Sequence, residues 1–276
     1  MTKDFSFSGD QVAAAWERYR DRLFRWSAPL SNWMVDTVDP QPGQTILEVA
    51  AGPGETGLLA AERLGPDGKL ISTDLNEFMV ATARRGAEAR GLTNVECRVM
   101  DGQHMDLPDD SVDGVLSRFG IMLMPEPDRA MAETRRVLRP GGRLAYGVWG
   151  PFDRNGWLTH LVGALLQHGV APPGDPFGPG GPFSLPDAQK NRELATGAGF
   201  TDVDVVEFAG TMEYADIDDY FTVQTAVSGP VSGLVAALSD EQRAEIKETL
   251  AGIVAPFRTD AGGYRFDTLA LRVSAA

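Results

Sequence analysis

The chain has 276 residues, 43% of them hydrophobic and 23% charged, with a formal net charge of −14. That length allows one large domain, or one domain carrying a sizeable insertion, with a core of ordinary size. The acidity speaks against a sequence-independent grip on DNA or RNA, which depends on Lys and Arg neutralising phosphates, and the single cysteine, Cys97, excludes an intrachain disulfide and fits a reducing, cytoplasmic setting.

The start, Met1-Thr-Lys-Asp-Phe-Ser6, lacks the apolar stretch of a leader peptide, and no apolar run approaches the length of a membrane span. Over residues 10–38, Val12, Ala15, Trp16, Tyr19, Leu23 and Phe24 recur at helical spacing and predict two amphipathic helices. Pro40-Gln-Pro-Gly43 leads into a first strand. A helix over 55–64 ends at Gly65-Pro-Asp-Gly68, a second strand covers 69–74, and a helix over 77–90 stops at Gly91. A third strand over 94–99 holds Cys97 as a core residue. A fourth strand at 112–118, a helix at 127–138 ending before Pro140-Gly-Gly, and a fifth strand at 143–149 follow. Strands separated by helices imply a parallel sheet with right-handed crossovers.

The second half is less regular. A helix near 155–169 precedes the Pro- and Gly-rich stretch 171–182, which suits neither helix nor central strand. Ser184-Leu-Pro-Asp187 has capping-box spacing, so a helix is predicted from there to Gly197. Thr201 to Phe208 alternates as a strand, residues 216–257 read as helices, one opening at Ser239-Asp-Glu-Gln242, and Tyr264 to Val273 is a last strand.

The chemistry concentrates in Ile46-Leu-Glu48-Val-Ala50-Ala-Gly52-Pro-Gly54-Glu-Thr-Gly57, an apolar run ending in an acid and turning through glycines into a helix, and in the second run ending at Asp74. An α/β sheet presents adenosine-containing ligands in this way, at the carboxyl ends of its strands. The glycine spacing, with an acid roughly 20 residues further on, formally allows a nicotinamide dinucleotide. Its pyrophosphate would rest on the helix N-terminus, and Glu48 would then face a dianion in a partly desolvated crevice. S-adenosylmethionine has no phosphate, and its cationic α-amino group suits a carboxylate there, directly or through water. Adenosylmethionine fits better.

These segments resemble those of class I S-adenosylmethionine-dependent methyltransferases, in particular the ubiquinone/menaquinone-biosynthesis-type (methyltransferase type 11) group. The family's acid-x-Gly-x-Gly-x-Gly falls on Glu48-Val-Ala50-Ala-Gly52-Pro-Gly54, with Ala50 in place of the first glycine. Asp74, Met100-Asp101-Gly102-Gln103, Asp113-Gly-Val-Leu-Ser-Arg118 and Val137-Leu-Arg-Pro-Gly-Gly-Arg-Leu144 follow in the family's order within residues 44–149. The resemblance implies an α/β, Rossmann-like, seven-stranded, mostly parallel sheet with helices on both faces. Strands 201–208 and 264–273 would close it as an antiparallel pair, and an α-helical lid would be added. It divides the chain into an N-terminal helical lid at 1–40, an adenosylmethionine-binding core at 41–150, and the rest of the core at 151–276, with lid insertions at 151–183 and 210–258.

On this resemblance Glu48 and the backbone of Ala50, Gly52 and Gly54 hold the methionine part of the cofactor. Asp74 accepts from the ribose, and Leu75 and Met79 pack on the sugar or adenine. Asp101 accepts from the adenine amino group beside Gly102 and Gln103, and Ser117 and Arg118 lie where methionine tail and substrate meet. Candidate general bases are His104, His160 and, from the N-terminal helix, Tyr19; a base of that kind contributes about 10²–10⁴-fold where one is used. No metal is expected, since Asp109, Asp110 and Asp113 form a turn sequence. The implied activity is methyl transfer to O, N or C of a small hydrophobic or aromatic metabolite, with S-adenosylhomocysteine as product. Two other readings stay open: the same fold using bound adenosylmethionine for non-methylating chemistry, and a nicotinamide-dependent oxidoreductase. Neither nucleic acid nor stable membrane insertion is expected, and a homodimer is allowed.

Overall fold

The computed structural model describes residues 10–276; the first nine, on which the leader-peptide reading and the start of the 1–40 segment rest, lie outside the described residues. The strands are β1 (Thr45–Glu48), β2 (Lys69–Asp74), β3 (Val95–Val99), β4 (Val112–Arg118), β5 (Leu138–Trp149), β6 (Asp204–Tyr214) and β7 (Tyr264–Ala275). The α-helices are α1 (Asp10–Arg18), α2 (Arg20–Val38), α3 (Glu55–Leu64), α4 (Glu77–Ala89), α5 (Pro127–Val137), α6 (Gly156–Gln167), α7 (Ala188–Gly197), α8 (Ile217–Val227), α9 (Gly229–Ala236) and α10 (Asp240–Val254). They fall into two compact units. One comprises Arg20–Gly150, Asp175–Phe208 and Ala270–Ala276; the other comprises the described residues up to Tyr19, Pro151–Gly174 and Ala209–Leu269.

The first unit holds β1 to β5 with Asp204–Phe208 of β6 and Ala270–Ala275 of β7, strands that run in the order β3-β2-β1-β4-β5-β7-β6 in one seven-stranded sheet. β1 pairs in parallel with β2 and β4, β2 with β3, and β4 with β5, while β7 runs antiparallel to β5 from Leu144↔Ala275 to Trp149↔Ala270. The chain winds outward from β1 toward β3, then returns to β4 and winds the other way. Right-handed crossovers therefore put helices on opposite faces, and a crevice opens where the winding reverses, at the carboxyl ends of β1 and β4. Leu30, Met34, Val35 and Val38 of α2 are buried with Ile46, Leu58, Leu70, Leu116 and Ala145 in one core cluster. So α2 packs on the sheet, and only α1 of the N-terminal segment sides with the other unit.

That other unit is mainly helical. Trp16 of α1 donates its indole N–H to the Val227 carbonyl (3.1 Å). Tyr214, Tyr220 and Phe266 form an aromatic core with centroids 4.7–5.8 Å apart. α10 opens with a capping box in which Ser239 and Gln242 satisfy each other's backbone N–H, as its sequence predicts. Among the described residues no helix is long and apolar enough to cross a membrane.

Four elements differ from expectation. α7 starts at Ala188, capped by Asp187, which accepts from the Lys190 N–H; Ser184 instead donates to the buried Met122 carbonyl (2.7 Å). β5 starts at Leu138 because that residue pairs with Val112 across a bulge. β6 starts at Asp204 and runs to Tyr214, since Asp202, at φ 49°, breaks the extended chain after Thr201. Cys97 is half-buried rather than a full core residue because β3 is an edge strand.

Candidate active site

The loop between β1 and α3 is tied down from below. Glu48, only 1% exposed, accepts from the Gly57 N–H (2.8 Å) and from the Ser72 hydroxyl (3.2 Å). Gly57 is the third residue of α3, so the carboxylate occupies a helix N-terminus where unsatisfied N–H groups favour negative charge. A Cβ at Gly57 would collide with that carboxylate, which accounts for the last glycine of the motif. Burial pushes the Glu48 carboxyl up to about 7, against the Gly57 N–H, the Arg118 charge and the Ser72 hydroxyl, which lower it. Glu48, expected to meet a ligand ammonium directly or through water, lies buried under the loop, each of its oxygens accepting one hydrogen bond from the protein.

Arg118, expected at the meeting of cofactor and substrate, is also turned inward. Its Nε donates to the Thr56 hydroxyl (3.0 Å) and its Nη1 to Ser27, joining β4 to α3 and α2. Desolvation lowers its pKa, opposed by the charges of Glu48 and Glu55. Glu55, at the first position of α3 and 4% exposed, is ion-paired with Arg20 and Arg90. Arg20 also donates to the Pro53 carbonyl (3.1 Å) and so clamps the loop. No local signal in the sequence marks Arg20, which lies 33 residues from its partner.

Above this foundation the loop turns through Ala50, which adopts φ 52°. A left-handed conformation costs a non-glycine residue about 1–2 kcal/mol. Gly120, after β4, makes room for the methyl group: a Cβ there would stand 2.5 Å from that of Ala50. The Gly52 N–H goes to Asp74 Oδ2 (2.8 Å), and Gly54, at φ 83°, is the N-cap position of α3.

Asp74 ends β2, and its other oxygen accepts from the Asn76 N–H (2.9 Å). It is not the cap of α4; Asn76 is, accepting from the Phe78 N–H. Burial raises the Asp74 carboxyl, against hydrogen bonds from Asn76, Gly52 and Leu75. Asp74 pairs with Val99 of β3, and Asp101 follows two residues on. Burial raises the Asp101 carboxyl, but hydrogen bonds from Gln103 and His104 outweigh it and hold the group below its ordinary value. Gln103 donates its side-chain N–H to Asp101 (3.0 Å) and accepts from the Glu126 N–H at the start of α5 (2.8 Å). Gly102 is buried against Val49 and Met124. Leu75, Phe78 and Val99 are exposed to 64%, 53% and 49%, an apolar strip beside the two acids, while Met79 is 7% exposed. No local signal in the sequence marks Phe78 and Val99: Phe78 lies in the first turn of α4, four residues past Asp74, and Val99 ends β3 two residues before Asp101.

Ser117 is fully buried, yet its hydroxyl has no hydrogen-bond partner. A buried orphan of this kind calls for a ligand or water. With the two acids and the apolar strip, the residues present fit an adenosine bearing an amino-acid tail. They suit a dinucleotide less well: at the helix N-terminus that would cradle a pyrophosphate, the Gly57 N–H is already taken by the Glu48 carboxyl.

The base candidates are scattered. His104 is exposed and lies 3.4 Å from Asp101 Oδ2. His160 belongs to the helical unit, 4.6 Å from Phe257 and 5.5 Å from Phe266, and burial lowers its pKa. Tyr19, half-buried, falls in that unit too. Asp113 accepts from the Thr45 N–H and pairs with Arg139, and Asp109 pairs with Arg136. Among the described residues no three His, Cys, Asp or Glu side chains gather as metal ligands.

The fold and this site define a class I adenosylmethionine-binding protein, and comparison with known proteins agrees. A family model described as a methyltransferase domain matches residues 46–142. Aklanonic acid methyltransferase of a Streptomyces species is 30% identical over 166 residues, 58% of this chain and 74% of that protein. Arsenite methyltransferase of Halobacterium salinarum is 40% identical over 104 residues, 38% of this chain, which spans only 27% of that relative's length. In fold, the YcgJ protein of Bacillus subtilis superposes with a TM-score of 0.60 at 18% identity, over 90% of this chain and 97% of that one. The chain belongs to the class I S-adenosylmethionine-dependent methyltransferase family.

Proposed function

We propose that this protein transfers the methyl group of S-adenosylmethionine to an O, N or C atom of a small hydrophobic or aromatic metabolite, leaving S-adenosylhomocysteine. The observation that carries the reading is the placing of Asp74 and Asp101 at the ends of neighbouring strands beside exposed Leu75, Phe78 and Val99. Each Asp74 oxygen keeps lone-pair capacity beyond its backbone bond and would accept from the ribose hydroxyls. Asp101 would accept from the adenine amino group, and the apolar strip would cover the ring. Ser117 would donate to the amino-acid tail, satisfying its orphaned hydroxyl. Glu48, Arg118 and Arg20 hold the loop without touching the ligand.

The bound sulfonium supplies a methyl group that is already activated, so the chain's task is to align an acceptor and exclude water. None of His104, His160 and Tyr19 is assigned as base; transfer rests on alignment. The aklanonic acid relative supports an organic acceptor from secondary metabolism. Arsenite is a poorer match, because a soft metalloid prefers thiolate ligands. The one thiol, Cys97, is pushed up by burial. The lid role of the helical segments is part of this proposal.

Asp74→Ala should weaken adenosylhomocysteine binding by about 100-fold or more, the worth of two hydrogen bonds to a charged group. Unchanged affinity by calorimetry would contradict the assignment. Methyl-labelled cofactor then separates the two chemistries: label in the product marks transfer, and turnover without label marks the sulfonium as a fixed charge.

A further inference from the structure

Three aromatic rings gather in the sheet unit at the carboxyl ends of β4 and β5. Trp26 comes from α2, Phe119 follows β4, and Trp149 is the last residue of β5. Their planes lie within 20° of one another, with centroids 4.3 Å apart for Phe119–Trp149, 5.0 Å for Trp26–Trp149 and 5.7 Å for Trp26–Phe119. Phe119 holds φ 60°, a region that a bulky residue seldom adopts. Its N–H, bound to the Gly147 carbonyl at 2.8 Å, pins it there. The indole N–H of Trp26 is buried and has no hydrogen-bond partner.

Strained backbone and an unpaired buried donor at one place are costs that packing alone does not require. Glycine at 119 would relieve the first and phenylalanine at 26 the second. Such features cluster where a ligand supplies the missing partner. Near-parallel rings offer a face on which a further flat π-system stacks. Gly120, next to Phe119, lies against Ala50, so the rings adjoin the loop assigned to the methyl donor.

We infer that Trp26, Phe119 and Trp149 form the acceptor platform, and that the acceptor is a planar aromatic molecule with an oxygen that takes the Trp26 Nε1 hydrogen bond. The reaction it serves rests on the methyltransferase reading; the binding does not.

The test is calorimetric titration of the full chain with 1-naphthol and its saturated, non-planar counterpart 1-decalol, each with and without adenosylhomocysteine. Naphthol should bind at least about ten-fold more tightly than decalol, as ring stacking requires. Phe119→Gly removes a ring while relaxing the backbone, and Trp26→Phe keeps the ring but deletes the donor. Each should weaken naphthol about ten-fold and leave adenosylhomocysteine affinity within about two-fold. Trp26→Phe decides the matter if Phe119→Gly does not fold. Equal binding of the two alcohols, no naphthol binding, or full naphthol affinity in the folded variants would overturn the platform. Ring-dependent naphthol binding without any adenosylhomocysteine binding would leave the platform standing and remove the methyltransferase reading.

Discussion

At Ala50 and Gly120 two residues 70 apart in sequence share one steric decision. The methyl group sits on a left-handed backbone, and the glycine facing it lacks the atom that would collide with it. Ala50→Gly should therefore raise stability, by about 0.5–1 kcal/mol once glycine's greater unfolded freedom is deducted. Gly120→Ala should cost more in the native background than beside Ala50→Gly, a coupling that urea denaturation of the four proteins measures. Glu48 gives a second prediction. Its carboxyl rises from 4.5 to about 7 on folding, so between those values the folded chain holds a proton that the unfolded chain has released. The group's contribution is fully present below about pH 4.5 and is lost as pH rises through about 7, by at most roughly 3 kcal/mol. Glu48→Gln should gain stability relative to the native chain between pH 5 and pH 8; a difference independent of pH would show that Glu48 titrates normally. The sequence points to this acid at the end of its strand but not to the Gly57 N–H that its carboxylate takes. Alternation along a four-residue strand does not reveal which neighbour an end residue turns toward, and Gly57 was read as helix, not as the carboxylate's partner.

Among elements, strands and helices up to Trp149 were legible because apolar periodicity and Gly/Pro punctuation agree there. Farther on, local signals compete. Ser184-Leu-Pro-Asp187 contains two residues able to cap a helix, and a tertiary partner, the Met122 carbonyl, takes the first of them out of contention. Asp187→Ala should cost about 1 kcal/mol and speed amide exchange in the first turn of α7. Ser184→Ala should destabilise through the buried carbonyl it leaves unpaired, by about 1–3 kcal/mol, without that local exchange signature. The reverse pattern would restore Ser184 as the cap. α2 shows the same limit: its amphipathic spacing was plain, but a buried stripe at Leu30, Met34 and Val38 does not say which surface will cover it.

At the scale of the whole molecule, the segments marked as insertions, 151–183 and 210–258, fall largely in the helical unit, Pro151–Gly174 and Ala209–Leu269. The sheet unit carries every residue assigned here to the cofactor, because reversal of the winding at β1 and β4 opens the crevice there. Its glycine loop would pass for a dinucleotide motif by spacing alone. What distinguishes it is occupancy: the Glu48 carboxyl already takes the Gly57 N–H in the first turn of α3, the helix end that a pyrophosphate would need. Titration calorimetry of the full chain with adenosylhomocysteine and, separately, with NADH tests that most directly. Stoichiometric binding of adenosylhomocysteine and no heat from NADH at the same concentration is the predicted result; binding of NADH with none of adenosylhomocysteine would contradict it.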